Sequence, residues 1–262
     1  MSAVRVTDLS WNYGSRETLA GVSMMAEQGA FTALLGPNGS GKTTLLRLIS
    51  GGLRTPRGTV FIGGDDVALL NEAQLARRMA LVPQRSGMAF NFTALEVVLM
   101  GRHPYIGRFG SESARDVDIA LEAMEGTGTR HLAKRSAMTL SGGEWQRVAV
   151  ARALCQQTNI LLLDEPVSSL DLRHQADVLA LARQQARRGV AVLCVLHDLN
   201  LAAEYADRVV VIGEGCVAAD GTPGEVLTPE LVQRVWNAGV LVGAHPQTGK
   251  PVFLMDYAAG AV

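Results

Sequence analysis

Two hydrophobic patterns divide this chain. Apolar and polar residues alternate along three N-terminal segments: 4–13, 21–28 and 58–67. Alternation of this kind is typical of strands that bury one face, so these segments predict an antiparallel β layer. Continuous apolar runs occur at 29–35, 159–166, 190–198 and 208–215, with helical patterns between them. Strands buried on both faces and alternating with helices predict a mainly parallel sheet, and therefore an α/β fold.

The strand signal largely disappears between residues 86 and 156. Helical patterns take its place at 93–102, at 113–125 and from about residue 143. We interpret this block as a helical subdomain inserted into the α/β core. The predicted division is a single domain over 1–262, made of three parts: a core at about 1–85 and 157–225, a helical subdomain at about 86–156, and a C-terminal extension at about 226–262. The extension is expected to pack on the core.

The composition is that of an ordinary globular protein. The chain has 262 residues, of which 48% are hydrophobic and 19% charged, and its formal net charge is −1. These values exclude a disordered chain, a collagen and a strongly basic nucleic-acid-binding domain. The three cysteines, Cys155, Cys194 and Cys216, lack metal-binding spacing and predict buried thiols in a reducing compartment. Neither a signal peptide nor a membrane span is recognisable, so a soluble chain is expected, with any membrane role coming through a partner.

Residues 36–43 read GPNGSGKT and fit the pattern G-x-x-x-x-G-K-[ST] between a predicted strand and a predicted helix. Glycines let the backbone N–H groups of such a loop face a polyphosphate, and the helix N-terminus adds positive potential. Lys42 would bridge the β- and γ-phosphates, and Thr43 would offer its hydroxyl to Mg²⁺. An ordinary glycine-rich turn is the alternative, but the strand and helix on either side favour a nucleotide-binding loop.

An acidic pair, Asp164 and Glu165, follows the apolar run that starts near residue 159. Ligands of α/β folds bind at the carboxyl ends of the strands, which is where this pair is predicted to lie. Asp164 would hold Mg²⁺ through water, and Glu165 would orient or deprotonate an attacking water molecule. Such a pair by itself is often only the start of a helix.

The segment 140–147, LSGGEWQR, predicts a second anion site. Ser141, Gly142 and Gly143 open a helix, so their N–H groups are available to an anion. A nucleotide has only one γ-phosphate, however, and the loop at 36–43 already surrounds it. The alternative is an ordinary helix N-terminus that contains glycines.

With these motifs in place, the chain resembles the nucleotide-binding subunits of ABC transporters along nearly its whole length. The matching motifs occur in the family's order: the Walker A loop (Gly36, Pro37, Asn38, Gly39, Ser40, Gly41, Lys42, Thr43, Thr44), Gln84 in LVPQ, the signature LSGGEWQR at 140–147, the Walker B segment NILLLDEP at 159–166, the D-loop (Ser169, Leu170, Asp171) and His197 in LHD.

The resemblance implies a homodimer with ATP sandwiched between the Walker A loop of one subunit and the signature of the other. Tyr13 matches the aromatic residue that stacks on adenine in the family. Ser141, Gly142 and Gly143 would contact the nucleotide of the partner subunit. This explains why one chain has two anion sites although a nucleotide has only one γ-phosphate. Asp171 would cross the dimer interface.

The resemblance also assigns chemistry to residues around the phosphates. Glu165, His197 and Gln84 are the implied catalytic residues: His197 would hold the γ-phosphate and the attacking water, and Gln84 would sense the metal and relay nucleotide occupancy to the membrane partner. Thr43, Gln84 and Asp164 are the implied Mg²⁺ ligands. The expected cofactors are therefore ATP and Mg²⁺.

The class of ABC protein is predicted from what surrounds these motifs. Lys42 and Ser141 are 99 positions apart with no coiled-coil repeat between them, unlike chromosome-maintenance ATPases. A separate cassette without membrane helices favours an importer, and the wording of 91–110 and of the tail resembles cassettes that import ferric siderophores, haem or cobalamin. The alternatives are the cassette of a split exporter and a soluble ABC ATPase that acts on nucleic acid or ribosomes.

The importer class implies particular partners and a location. We expect two transmembrane permease subunits, an indirect connection to a periplasmic or extracellular substrate-binding protein, and no nucleic acid. The expected location is the cytoplasmic face of the plasma membrane, as a peripheral subunit.

Overall fold

Two sheets and the helices around them follow the two hydrophobic patterns. The computed structural model describes residues 2–84, 91–106, 110–168 and 170–256. The strands are β1 (Ser2–Tyr13), β2 (Arg16–Glu27), β3 (Phe31–Leu35), β4 (Val60–Ile62), β5 (Asp65–Asp66), β6 (Met79–Val82), β7 (Ile160–Asp164), β8 (Ala191–Val195), β9 (Arg208–Gly213), β10 (Cys216–Gly221), β11 (Val240–Ala244) and β12 (Pro251–Met255). The α-helices are α1 (Lys42–Ile49), α2 (Glu72–Ala76), α3 (Ala94–Leu99), α4 (Ala114–Gly126), α5 (Gly142–Cys155), α6 (Leu172–Arg187), α7 (Leu199–Tyr205), α8 (Pro223–Val226) and α9 (Pro229–Trp236). Short 3-10 helices lie at Val67–Leu69, Met100–Tyr105, Arg130–Leu132 and Ala137–Thr139.

The N-terminal sheet has the strand order β2-β1-β4-β5, and its pairings are antiparallel. Val4, Val6 and Leu9 of β1 are buried, whereas Arg5 and Thr7 between them are exposed. This one-sided burial is what the alternating pattern predicts, and the predicted antiparallel layer is confirmed.

The larger sheet has the order β10-β9-β3-β8-β7-β6 and is parallel except for β10. Leu161 and Leu163 of β7 face a core shared with α5 and α6, and Leu162 faces a core shared with α1 and the N-terminal sheet. Burial on both faces explains why these strands read as continuous apolar runs, and the predicted mainly parallel sheet is confirmed. The edge strands β6 and β10 were not predicted from the pattern. Because β6 ends at Val82, Gln84 lies at the same edge of the sheet as the end of β7.

Helices α3, α4 and α5 surround a third core cluster, which contains Val97, Met124 and Val148. Within the described residues between 91 and 156, the strand-like pairing is a single bridge between Thr93 and Ser136. The helical character predicted for this block is therefore confirmed.

Gly101 and Arg102, in the 3-10 helix after α3, pack against the C-terminal end of α5. A Cβ on Gly101 would lie 2.3 Å from the Arg152 carbonyl oxygen, so the two backbones touch there. Arg102 Nε pairs with Asp116 Oδ1 at 2.9 Å, and its Nη1 donates to the Cys155 carbonyl oxygen at 3.0 Å. The hydrogen bonds that Asp116 accepts from Ser113 and from Arg102 lower the pKa of Asp116 to about 2. Through these contacts α3, α4 and α5 form one packed unit.

The described part of the C-terminal extension contains α9 and the hairpin β11–β12. Leu231 and Val232 of α9 and Phe253 of β12 are buried in the core cluster shared with α5 and α6. The extension therefore completes one face of the larger sheet.

The cysteines differ from the prediction at one position. Cys155 and Cys194 are buried, but Cys216 is exposed at the start of β10. Burial raises the pKa of Cys155 to about 12, so this thiol stays protonated at neutral pH. A helix long and apolar enough to cross a membrane is not found in the described ranges.

Candidate nucleotide-binding site

The phosphate loop connects the end of β3 to the start of α1. Gly36 has φ 149°, and a Cβ there would lie 2.2 Å from the Ile212 carbonyl oxygen. Gly41 has φ 103°, and its Cβ would lie 2.5 Å from Leu19 Cδ2. Glycine is therefore required at both positions for two separate reasons, left-handed backbone and lack of space. Helix α1 begins without a side-chain cap at Gly41, which leaves the N–H groups of its first turn open to an anion.

Substitution of Gly36 by alanine is expected to destabilise the protein and abolish nucleotide binding, because the new methyl group overlaps β9. Overpacking of this kind costs about 1–3 kcal/mol in the free energy of unfolding. Urea unfolding and nucleotide titration measure the two effects. Gly224→Ala is the matched control, since no atom beyond its chain neighbours and its own helix backbone lies within 4 Å of the added Cβ. Parental stability and affinity in Gly36→Ala would show that the loop tolerates a side chain.

Lys42 is 5% exposed, and its ammonium group lies inside the loop. Nζ donates to the carbonyl oxygens of Gly36 at 2.7 Å and Pro37 at 2.8 Å. Burial lowers the pKa of Lys42, and the nearby Glu165 and Asp164 carboxylates oppose this effect. Ser40 Oγ is also buried and has no hydrogen-bond partner. A buried ammonium group and an unpaired hydroxyl in a glycine loop fit a bound polyphosphate.

Two of the three residues predicted to hold a metal ion, Thr43 and Asp164, meet at the end of β7. Thr43 Oγ1 donates to Asp164 Oδ1 over 3.2 Å. Burial raises the pKa of Asp164, and the hydrogen bond from Thr43 partly offsets that rise. A hydroxyl and a carboxylate oxygen are ligands that Mg²⁺ accepts, and the charge of a cation would favour the ionised form of Asp164. These two residues fit a magnesium ion.

Glu165 is in direct contact with the other two predicted catalytic residues, Gln84 and His197. Glu165 Oε1 lies 2.5 Å from His197 Nε2, and Glu165 Oε2 accepts a hydrogen bond of 2.5 Å from Gln84 Nε2. Gln84 follows β6, Glu165 follows β7 and His197 follows β8, three neighbouring strands of the larger sheet. Glu165 has φ 51°, a conformation that costs a non-glycine residue about 1–3 kcal/mol and is concentrated at functional sites. The carboxylate of Glu165 is therefore the centre of this group and contacts Gln84 on one side and His197 on the other.

A cavity of about 320 Å³ joins this centre to the aromatic residue at the end of β1. It is lined by Tyr13, Arg16, Thr18, Asn38, Gly39, Gly41, Lys42, Thr43, Thr44 and Glu165. The Tyr13 side chain is 46% exposed and meets the Trp11 ring edge to face, with centroids 6.2 Å apart. Arg16 and Thr18 were missed by the sequence analysis. Their signal is the turn at Gly14, because it pairs Tyr13 with Arg16 across the β1–β2 hairpin.

The signature lies elsewhere on the molecule. Ser141 caps α5: its N–H donates to Glu144 Oε2 at 2.8 Å, and its Oγ accepts from the Glu144 N–H at 3.3 Å. Ser141, Gly143 and Asp171 line a second cavity, of about 790 Å³. That cavity and the one beside the phosphate loop share no lining residue, so a single chain does not bring the signature to its own phosphate loop.

Asp171 has a structural task of its own at the start of α6. It caps the helix by accepting from the His174 N–H at 2.9 Å, and His174 Nδ1 lies 2.7 Å from Asp171 Oδ1. The backbone hydrogen bond from His174 is the main reason that the pKa of Asp171 is lowered. Ser169 of the D-loop lies outside the described residues.

The glycine loop between a parallel strand and a helix, the buried lysine and the acidic end of the neighbouring strand define a P-loop nucleoside triphosphatase. Comparison with known proteins narrows this class. A family model described as ABC transporter matches residues 19–168. The hemin import ATP-binding protein HmuV of Thermobifida fusca (strain YX) is 44% identical over 251 residues, which cover 94% of this chain and 86% of that protein.

A second relative and a solved structure are also similar to this chain. The cobalamin import ATP-binding protein BtuD of Halobacterium salinarum (strain ATCC 29341 / DSM 671 / R1) is 43% identical over 245 residues, which cover 93% of this chain and 61% of that protein. A solved structure of an inward-facing metal-chelate type ABC transporter contains a chain that superposes with a TM-score of 0.85 at 27% identity, with 99% of each chain covered.

The chain belongs to the ABC transporter family, and the predicted resemblance is confirmed. It is an ATP-binding subunit that hydrolyses ATP to power transport. Both relatives are import proteins by name, which agrees with the predicted importer class and not with the exporter or non-transport alternatives.

Proposed function

We propose that this chain powers uptake of a metal chelate, such as haem, cobalamin or a ferric siderophore, through two membrane permease subunits. The names of the relatives and of the similar transporter structure support the choice of cargo class. The observation that carries the hydrolytic mechanism is the contact of Gln84, Glu165 and His197 beside the phosphate loop.

Each residue of this centre receives a chemical role in the proposal. Lys42 and the N–H groups of α1 bind the phosphates of ATP, and Glu165 positions the attacking water and takes its proton. Thr43, Asp164 and Gln84 would together hold Mg²⁺. When bound, this ion supplies positive charge that neutralises the phosphate oxygens. Gln84 donates a hydrogen bond to Glu165 Oε2 and so helps to orient this carboxylate.

His197 and Tyr13 complete the site of one subunit. His197 Nε2, which contacts Glu165 Oε1, is placed to hold the γ-phosphate and the water. Tyr13 presents an exposed ring to the cavity beside the phosphate loop, which suits stacking on adenine.

The remaining motifs are supplied by a second copy of the chain. The separation of the two cavities supports a homodimer in which Ser141, Gly142 and Gly143 of one subunit contact ATP on the other. Asp171, whose side chain is 66% exposed at the start of α6, is available to cross that interface. Binding in trans makes ATP part of the interface, so nucleotide and dimer stabilise each other.

The rest of the assembly follows from the importer class. We propose that the chain works at the cytoplasmic face of the plasma membrane and that a periplasmic or extracellular binding protein delivers the chelate to the permease. The division into a core, a helical subdomain at about 86–156 and an extension at about 226–262 is retained as part of this proposal.

Purification of tagged Glu165→Gln protein from native membranes, in detergent with ATP and Mg²⁺, tests the assignment. We expect a permease with many membrane-spanning helices to accompany it, and the absorbance of a bound haem or corrinoid identifies those cargoes. The same preparation without ATP is the control for nucleotide-dependent assembly. Recovery with ribosomes or nucleic acid, and without a permease, would contradict the importer proposal and leave the ATPase site intact.

A further inference from the structure

The C-terminal hairpin is attached to the helix that follows His197. Helix α7 begins at Leu199, two residues after His197, and Asn200 lies in its first turn. Asn200 Oδ1 accepts a hydrogen bond of 2.7 Å from the Phe253 N–H, and Asn200 Nδ2 donates to the Phe253 carbonyl oxygen at 3.1 Å. The amide of Asn200 thus takes the place of a neighbouring strand along β12, since it offers one donor and one acceptor to one residue.

Both ends of this contact are anchored. The Phe253 side chain is 6% exposed and belongs to the core cluster shared with α5 and α6. At the other end, the Asn200 N–H donates to Asp198 Oδ1 at 2.7 Å, and Asp198 is the residue directly after His197. Asn200 therefore connects the cap beside His197 to a strand of the C-terminal extension through its own backbone and side chain.

A second contact holds the opposite end of α7. Lys250 Nζ, just before β12, donates to the backbone oxygen of Glu204 and lies 3.2 Å from Glu204 Oε1. The hairpin therefore contacts this helix near its first and its last residues. A helix of 7 residues is too short to be stable by itself, so its position depends on such tertiary contacts.

We infer that the hairpin β11–β12 positions His197 for ATP hydrolysis, and that Asn200 is the positioning residue that connects them. The inference rests on the proposed role of His197. The segment carrying His197 is fixed on one side by β8, which is buried, and on the other side by α7. Loss of the Asn200 contact leaves β8 fixed but loosens α7. The imidazole of His197 then shifts relative to Glu165.

Steady-state ATP hydrolysis by the purified chain tests this inference. Because small displacements of a catalytic group are costly, Asn200→Ala is expected to lower kcat about tenfold and to leave KM for ATP within about twofold of the parent. Asn200→Asp keeps the acceptor for the Phe253 N–H but loses the donor, so its kcat is expected between those of the parent and the alanine variant. Gln233→Ala is the matched control, since this exposed amide lies in the same extension and donates to Asn237 Oδ1 at 3.3 Å.

A double-mutant cycle separates positioning from a general structural effect. In a His197→Ala background, Asn200→Ala is expected to change the residual kcat by less than about twofold, because the group it positions is gone. Thermal unfolding of each variant sets an assay temperature at which it is folded, and Lys250→Ala provides a second, milder way to loosen α7.

Each outcome decides one point. Equal losses from Asn200→Ala in both backgrounds, or no loss in the parent, would overturn the positioning role while His197 keeps its place in the mechanism. A parental kcat in His197→Ala alone would overturn the role of His197 and the inference with it. A loss confined to the parent background, with KM and the Gln233→Ala control unchanged, supports it.

Discussion

Lys42→Ala is expected to abolish ATP turnover and to weaken ATP binding about 10- to 100-fold. The ammonium group is nearly fully buried in the phosphate loop, where its hydrogen bonds to Gly36 and Pro37 align it toward a bound nucleotide. A charge-assisted hydrogen bond to phosphate in such a place contributes about 1.5–3 kcal/mol, which corresponds to that range of affinity. The variant also leaves two carbonyl oxygens of the loop without their donor.

Nucleotide titration and phosphate release measure the two effects of Lys42→Ala. The matched control is Lys134→Ala, which removes one of the other two lysines of the chain from an exposed position. Near-normal hydrolysis by Lys42→Ala would show that the loop at 36–43 is not the phosphate site.

Glu165→Gln is expected to bind ATP with parental affinity and to hydrolyse it about 10³-fold more slowly, because the amide cannot accept a proton from water. The substitution keeps the size of the side chain, and the two donors that surround the carboxylate, on Gln84 and His197, remain in place. In either orientation of the new side chain, its NH₂ group faces one of these two donors. A local rearrangement of the amide is therefore expected, without loss of the phosphate loop.

The same variant is expected to accumulate as a dimer when ATP and Mg²⁺ are present. ATP that is bound in trans and not hydrolysed continues to stabilise the interface between two chains. Single-turnover phosphate release and light scattering measure the rate and the mass, with Glu122→Gln as an exposed control. Turnover at the parental rate would assign the proton transfer to another group, and a monomer under these conditions would contradict the sandwiched nucleotide.

Gln84 illustrates how the candidate site could be predicted only in part. Its motif predicted that it lies near the metal and the γ-phosphate, and the structure does place it at the same sheet edge as Asp164. Its hydrogen bond, however, goes to Glu165, which the motif could not specify. The partner of a flexible amide is decided by which donor and acceptor are nearest in space, and residues 84 and 165 are distant in sequence.

The C-terminal extension shows the same limit for the fold. The central strands were predictable because burial on both faces requires unbroken apolar runs, as in β7 and β8. The hairpin strands β11 and β12 are as long as β7 and β8, but each has a single buried residue, so burial imposes little pattern on them. The contact between Asn200 and Phe253 therefore had no signal in the sequence, because it joins a helix to a strand 53 residues away.

The sequence by itself determined the family, the α/β class, the phosphate loop and the order of the motifs. These features depend on local requirements: glycine where the backbone is left-handed or crowded, apolar runs where both faces are buried, and carboxylates at a strand end. Only the tertiary structure decided that Glu165 lies between Gln84 and His197, that the signature faces a separate cavity, and that the hairpin holds α7. Those relations depend on which strands become neighbours in the sheet and on how the helices pack over it, and long-range packing brings together residues that no local pattern connects.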